Sequence, residues 1–498
     1  MEEVYASIIA LKNSNATDFL GINTRVLKSV ASHIIEPLAF IINQCFSDCV
    51  FPTCLKISVI TPIPKKGNSK HYDGFRPVSK LPVFVKVIEH IVLKRVGGHV
   101  DQHALIHPQQ FGFRKGRSTS SAAVSLVTQI FSAMENRQHT LLNLFDLSKA
   151  FDLVPHNLLL KKFEHYGFSH ELVMFIKSYL EGWAQVVQFN GRASEEVDIP
   201  CGVKQGSILG PCFFLLYIND LAFQFADPKD IFLFADDITS LGKGVSKEEM
   251  QYNSLVKSSI VEKWCSANAL LLNKTKTQTL VMGLNRALDQ AVNFLGLMVD
   301  NRMSWQPHIE SLAPKLSSSI FMIRRLKGAL SDDVLRSVYH ACFASRATYC
   351  IIAWGNSSHA TDVFKLQKRV IRILVGLSWH ESCRGSFSRL GILTIPSAYV
   401  LAVLNYVKTN LSLITVVAEV HQHNTRSRSN LVIPFTRLSS AQQNDPLQVG
   451  SRLFNALPNE IRELPDKSFS TCIKRHLVRA ELYSLDEFDS IVWSVPPK

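Results

Sequence analysis

Three aspartates have the residue type and the surroundings to do chemistry. Asp236 and Asp237 stand side by side in "IFLFADDITS" (231–240), with apolar residues on both flanks, and Asp146 ends the apolar run "HTLLNLFD" (139–146). Burying unpaired anions is strongly unfavourable, so an acid pair in this setting either tips a tight turn into solvent or holds a divalent cation. Two apolar strands laid side by side in one sheet would carry all three carboxylates to a common edge. Hard oxygen donors in that number suit Mg²⁺, which completes its shell with water and substrate phosphates. Two such ions about 3.5–4 Å apart could activate an attacking hydroxyl and stabilise a leaving pyrophosphate. Phosphoryl transfer needs positioning and charge neutralisation more than covalent help, so it requires no Ser/His/Asp arrangement. Between the acids lies "GVKQGSILGPCFFLLYINDL" (202–221). Gly206 permits close backbone approach and Gln205 can hydrogen-bond a base or sugar. The same stretch also reads as a buried helix capped at Ser207, and both readings can hold together.

The elements that must position these residues follow from periodicity. Apolar residues at three- and four-residue spacing predict helices over 25–46 and 83–97, and Ser118 or Thr119 can cap a further helix to about 134. Strands are predicted at 139–146 and near 185–189, 231–241, 278–282 and 291–299, with helices at about 157–182, 207–225 and 247–268. Beyond 305 the pattern is almost wholly helical to about 412. "HQHNTRSRSN" (421–430) is polar, basic and aperiodic and reads as a linker. A turn at "ALPNEIRELPDKSF" and one closing helix complete the chain. The fold class is α+β.

At 498 residues the chain is long for one core, and 46 % hydrophobic content is ample for globular folding. The acidic start "MEEVYASIIA" does not read as a signal peptide, and the apolar run 208–218 is too short to span a bilayer. A soluble, intracellular protein without a membrane partner is expected, with nucleus and cytoplasm both open. Ten cysteines without matching Cys/His clusters read as reduced, buried thiols. The net charge of +13 points to a polyanionic partner, and residues 311–380 hold ten Lys or Arg against three Asp or Glu.

Six stretches in order ("FGFRKGRSTSSA", "NLFDLSKAFDLVPHNLLLKKF", "GVKQGSILGPCFFLLYINDL", "FADD", "WCSANALLLNKTKTQTLVM" and "FLGLMVDNRMSWQPHI") resemble the reverse transcriptases of non-LTR (LINE-type, jockey-like) retrotransposons. The resemblance runs from about residue 8 into the tail. It implies a right-hand polymerase with fingers, palm and thumb, an antiparallel palm sheet and a helical C-terminal region. The implied divisions are an N-terminal helical extension (1–54), fingers and palm (55–304), a helical thumb (305–412) and a C-terminal region with a basic linker (413–498).

The resemblance also implies roles. Asp146 and Asp236 would be the principal metal ligands, with Asp237 third, for two Mg²⁺ ions that Mn²⁺ can replace. Lys276 would act as general acid at the pyrophosphate. Arg76, with Lys65 or Lys66, would clasp the triphosphate. Phe151 would exclude a ribose 2′-hydroxyl, and Gln205 and Gly206 would line the nucleotide pocket. Phe294, Leu295 and Gly296 would hold the primer end, while Arg114, Lys115 and Arg117 would touch template backbone. Asp152 and His156 belong to the motif and read as structural, a helix cap and its neighbour. The implied partners are an RNA template, a DNA primer and dNTPs. The family's usual Asp-Gly-Ile-type stretch is replaced by "NSNATDFLGIN", and the endonuclease normally encoded ahead of the polymerase is expected to be absent from this chain. The alternative is a catalytically silent element remnant that only binds nucleic acid.

Overall fold

The computed structural model describes residues 1–65, 74–283, 290–417 and 429–494. Lys66 and nearly all of the predicted basic linker lie outside them. The chain divides into two compact units. Met1–Lys115, Phe145–Ser240 and Val256–Thr277 form one; Gly116–Leu144, Leu241–Leu255 and Gln278–Lys498 form the other.

In the first unit, β1 (Ile57–Pro64) pairs antiparallel with β2 (Phe75–Lys80) and parallel with β5 (Trp183–Phe189). Two short strands, β6 (Arg192–Ala193) and β7 (Val197–Ile199), flank β5. The sequence reading missed β1 and β2 because Pro62, Pro64 and Pro77 interrupt them. Pro62 and Pro64 fall past Ile60, the last residue of β1 that pairs with β5, and so remove no donor from that ladder.

The helices of this unit share one apolar core, which Trp183 of β5 joins. Helix α1 (Glu2–Ala10) precedes α2 (Thr24–Ser47), which Asn23 caps by accepting from the Arg25 and Val26 amides. By length and composition alone α2 is long and apolar enough to cross a membrane. It carries Pro37 inside, and its Leu27, Ala31, Ala39 and Ile42 are buried in the core. The departure at "NSNATDFLGIN" has a local use: Asp18 accepts from Leu20 and Ile22 and, with its other oxygen, from Val83 N–H at 2.7 Å. That supplies the first turn of α3 (Val83–Gln102) with the cap that Pro82 cannot give.

The helix predicted over 157–182 is two helices, α5 (His156–His165) and α6 (His170–Leu180). Gly167, at φ 76°, turns the chain between them. The helix expected from 207 begins later, as α7 (Gly210–Ile218), with Ser207 Oγ accepting from Gly210 N–H at 2.8 Å just ahead of it.

The sheet that carries the acids runs β11-β3-β9-β8. Its strands are β3 (His139–Phe145), β8 (Ile231–Phe234), β9 (Asp237–Gly244) and β11 (Gln278–Met282). The β3/β11 and β8/β9 pairs are antiparallel, and β3 and β9 each pass from one unit into the other. The spans predicted as single strands at 231–241 and 291–299 are both hairpins, the second made of β12 (Ala291–Phe294) and β13 (Leu297–Asp300).

In the second unit, α4 (Thr119–Glu135) is capped by Ser118, whose side chain exchanges hydrogen bonds with Ser121. After β13 the unit is helical as expected: Gln306–Leu326, Ala360–Val375, Ile395–Thr409, Pro446–Asn455 and the closing helix Asp466–Ala480. All ten cysteines are free; only Cys265, Cys350, Cys383 and Cys472 are buried as expected, five are half-buried and Cys54 is exposed.

Candidate active site

The two-residue turn Ala235–Asp236 joins β8 to β9, with Phe234 and Asp237 paired across its base. Ala235 sits at φ 55°, a strained conformation for a residue with a Cβ. A neighbouring segment braces that turn. Phe111 N–H donates to Leu233 O at 2.8 Å, Leu233 N–H to Gln109 O at 2.9 Å, and Ala235 N–H to Gln110 Oε1 at 3.0 Å. Gly112 lies so close that an added Cβ would stand 2.6 Å from Ala235 N. Gly112→Ala should therefore lower stability by about 1–3 kcal/mol, the usual size for a forced backbone shift, read as a fall in the urea midpoint.

Asp146 follows the last residue of β3, and β3 lies beside β9, as the sequence predicts. The three acids feel one another. Asp237 is pushed up to about 6, first by partial removal from water and then by the charges on Asp236 and Asp146. Asp236 is raised mainly by burial and further by Asp146, against its own backbone amide and the Arg76 charge.

Among the described residues no group of three His, Cys, Asp or Glu side chains is placed to hold a metal. Lys276 Nζ stands 3.4 Å from Asp146 Oδ2 and supplies a counter-charge. In donor chemistry the acids fit a hard divalent cation. The Lys276 turn itself is tied to the acid, since Asn273 N–H donates to Asp146 O at 2.8 Å and Lys276 N–H to Asn273 O at 3.1 Å.

Beside Asp236 opens a cavity of about 770 Å³, within the size range of nucleotide-scale ligand sites. Lys65, Arg76, Phe151, Gln205 and Gly206, all predicted from the sequence, line it. Phe151 stacks on Phe214 at 4.5 Å and 17°, which fixes its ring. Gly206, at φ 109°, presses against β2, where a Cβ would meet Ser79 O at 2.7 Å. Ser79 N–H donates to Gln205 O at 2.8 Å.

Asp152 also lines the cavity and accepts from Gln205 Nε2 at 3.1 Å. It is not the cap of α5, whose N-cap position is Pro155. His156 is structural as expected, its Nε2 lying 2.9 Å from Gly202 O.

Other predicted positions are placed less directly. The Arg114 guanidinium donates to His107 O and Gln110 O, so it holds its own loop together. Lys115 is exposed. Arg117 belongs to the second unit, where it lines a separate cavity with Tyr406. Phe294, Leu295 and Gly296 also belong to the second unit, as the tight β12/β13 turn, with Leu295 at φ 48° and Gly296 at φ 89°. Phe294 is buried, so only the Leu295–Gly296 tip presents a surface, and Tyr349 OH holds that tip through Leu295 O at 2.6 Å. Lys66 lies outside the described residues.

Sequence reasoning missed Phe113. It lines the cavity at 61 % exposure and φ 50°, its ring 6.5 Å from Phe151 and nearly perpendicular. An exposed aromatic inside a basic loop was the available signal.

Residues 63–299 match the family described as "Reverse transcriptase (RNA-dependent DNA polymerase)". The chain is 24 % identical to the probable RNA-directed DNA polymerase from transposon X-element of Drosophila melanogaster, over 88 % of this chain and 48 % of the relative. It is 27 % identical to the RNA-directed DNA polymerase from mobile element jockey of the same species, over 77 % and 44 %. It thus spans about half the length of these relatives. Among solved structures it is similar to apo telomerase from Candida tropicalis, with TM-score 0.38, 16 % identity and coverage of 56 % of this chain and 59 % of that one. Residues 63–299, which hold the three acids and most of the cavity beside them, are thus similar to reverse transcriptases, and the relatives they resemble are polymerases of non-LTR retrotransposons.

Proposed function

We propose that the chain is an RNA-directed DNA polymerase that copies RNA into DNA by adding deoxynucleotides to a primer 3′-hydroxyl. The observation that carries this reading is the cavity beside Asp236, which brings a carboxylate edge, two cations and a stacked aromatic to one place. Arg76 and Lys65 hold the triphosphate, and Gln205 and Gly206 receive the sugar and base. Phe151 lies under the ribose. Asp146, Asp236 and Asp237 would hold two Mg²⁺ ions, which, when bound, would supply charge neutralisation at the attacking and leaving oxygens. Once released from Asp146, Lys276 can give a proton to the leaving pyrophosphate. In this reading fingers, palm and thumb correspond to the divisions 55–304 and 305–412, with template RNA and primer DNA as partners.

The test is incorporation of dTTP on poly(rA)/oligo(dT) with Mg²⁺; a folded protein that incorporates nothing is a remnant that only binds nucleic acid. A measurement without turnover checks the metal ligands. Millimolar MgCl₂ should raise the melting temperature by a few degrees, since binding to the native state alone stabilises by about RT ln(1 + [L]/Kd). The gain should vanish in Asp146→Asn, and an equal gain there would remove Asp146 from the ligand set.

A further inference from the structure

Glu89, on α3, is completely buried (0 % exposed) and belongs to no motif noted above. A buried carboxylate is costly unless its oxygens are satisfied, and both are. Tyr179 OH, on α6, donates to Oε1 at 2.5 Å, and Ile208 N–H donates to Oε2 at 2.9 Å. Ile208 lies two residues past Gly206, at the end of the turn that lines the nucleotide cavity.

The rest of that turn is fixed from other sides. Val203 N–H donates to Phe151 O at 2.7 Å, and Ser79 N–H to Gln205 O at 2.8 Å. Gly206 and Gly210 each leave no room for a Cβ, against Ser79 O and Lys204 O. The turn is thus tied to β2 on one side and to the Phe151 segment on another. Glu89 ties it to the helical core through Ile208, beside a contact between Ser207 and Tyr179 of α6.

A half-buried lysine stands nearby. Lys204 lines the same cavity, with Nζ 4.2 Å from the Trp183 ring centroid. Burial pulls its ammonium down to about 7, against the favourable charge of Glu89. Burial likewise pushes Glu89 up to about 7, opposed by its two hydrogen bonds and by the charges of Lys86 and Lys204.

We propose that Glu89 is a positioning residue for nucleotide binding, holding the Gln205–Gly206 turn in its receiving conformation through the Ile208 amide. The turn's role in binding nucleotide rests on the polymerase reading; the hold of Glu89 on the turn does not.

Two variants and two readouts test this. Glu89→Met keeps the length and removes both acceptors, and replacing a buried charge by an apolar group of similar size is often tolerated in folding. Glu89→Asp keeps the charge but withdraws it by one methylene from Ile208. Both should raise amide hydrogen exchange over residues 203–208 about tenfold, the loss expected for a hydrogen bond to a charged group. Both should also raise KM for dTTP about tenfold while kcat changes less than about threefold. Glu89→Gln retains one oxygen acceptor and should stay closer to wild type in both readouts.

Wild-type exchange at 203–208 in a folded Glu89→Met overturns the proposal, as does a wild-type KM with loosened exchange. If Glu89→Met fails to fold and Glu89→Asp behaves as wild type, Glu89 is only the core counter-charge of Lys204, and the proposal falls. If the wild-type protein incorporates no nucleotide, the polymerase reading fails by itself, and the exchange measurement still decides whether Glu89 holds the turn.

Discussion

Asp236→Asn should reduce primer extension on poly(rA)/oligo(dT) by at least about a thousandfold, because losing one preorganised charge at a phosphoryl-transfer centre removes stabilisation that nothing else in the site replaces. Asp236 stands at the tip of a two-residue turn whose backbone is pinned to Gln109, Gln110 and Phe111. The substitution keeps the side-chain shape, so the turn should survive. The native carboxyl is already held above its ordinary range by burial and by Asp146. Neutralising it should relieve repulsion, and the melting temperature should hold or rise slightly. RNA binding should persist, since basic side chains elsewhere provide affinity for the phosphate backbone. Filter binding and extension measured on one preparation separate the two effects. Retained synthesis would take Asp236 out of the chemistry.

Phe151→Val should lower discrimination between dUTP and UTP by about a hundredfold, the scale on which a pocket distinguishes shapes that differ by one small group. The Phe151 ring is stacked on Phe214 at 4.5 Å, and its main chain is held by Val203, so it cannot swing aside to admit a 2′-hydroxyl. Valine withdraws the ring and leaves Phe214 behind it. The expected signature is a fall in KM for UTP with KM for dUTP changed less than about threefold. Loss of the stack should cost about 1 kcal/mol of stability, visible in the urea midpoint. Unchanged sugar selectivity would assign the exclusion to another wall of the cavity.

The acids were legible because each ends or interrupts an apolar run, a local pattern that survives without knowledge of the fold. Gln205 and Gly206 were legible as a hydrogen-bonding side chain beside a turn glycine, while the role of Phe151 came only with the family resemblance; the structure gathers all three at one cavity. What escaped reading depends on contacts between distant segments. Glu89 meets Ile208 across 119 positions, and its helix also carries Lys86, His90, Lys94 and Arg95, so nothing nearby marks the carboxylate as exceptional. Arg114 looked like one more basic residue in a basic loop, yet it bonds carbonyls four and seven residues back. Asp152 looked like a cap because an acid before a helix usually is one; Pro155 takes that position instead. β1 and β2 were hidden by prolines, and the break at Gly167 by an apolar pattern that continues on both sides of it.

The way the chain threads between its two units bears on how it is made. Helix α4, in the second unit, buries Ala122, Val124, Val127 and Ile130, and packs on Ile351–Trp354 and Pro446–Asn455 of that unit. A ribosome delivers those partners more than two hundred residues later, on the order of tens of seconds at ordinary elongation rates. For that interval α4 emerges without these two partners. Nascent chains that stop before residue 351 should therefore leave part of its apolar face open and be captured by chaperones or degraded.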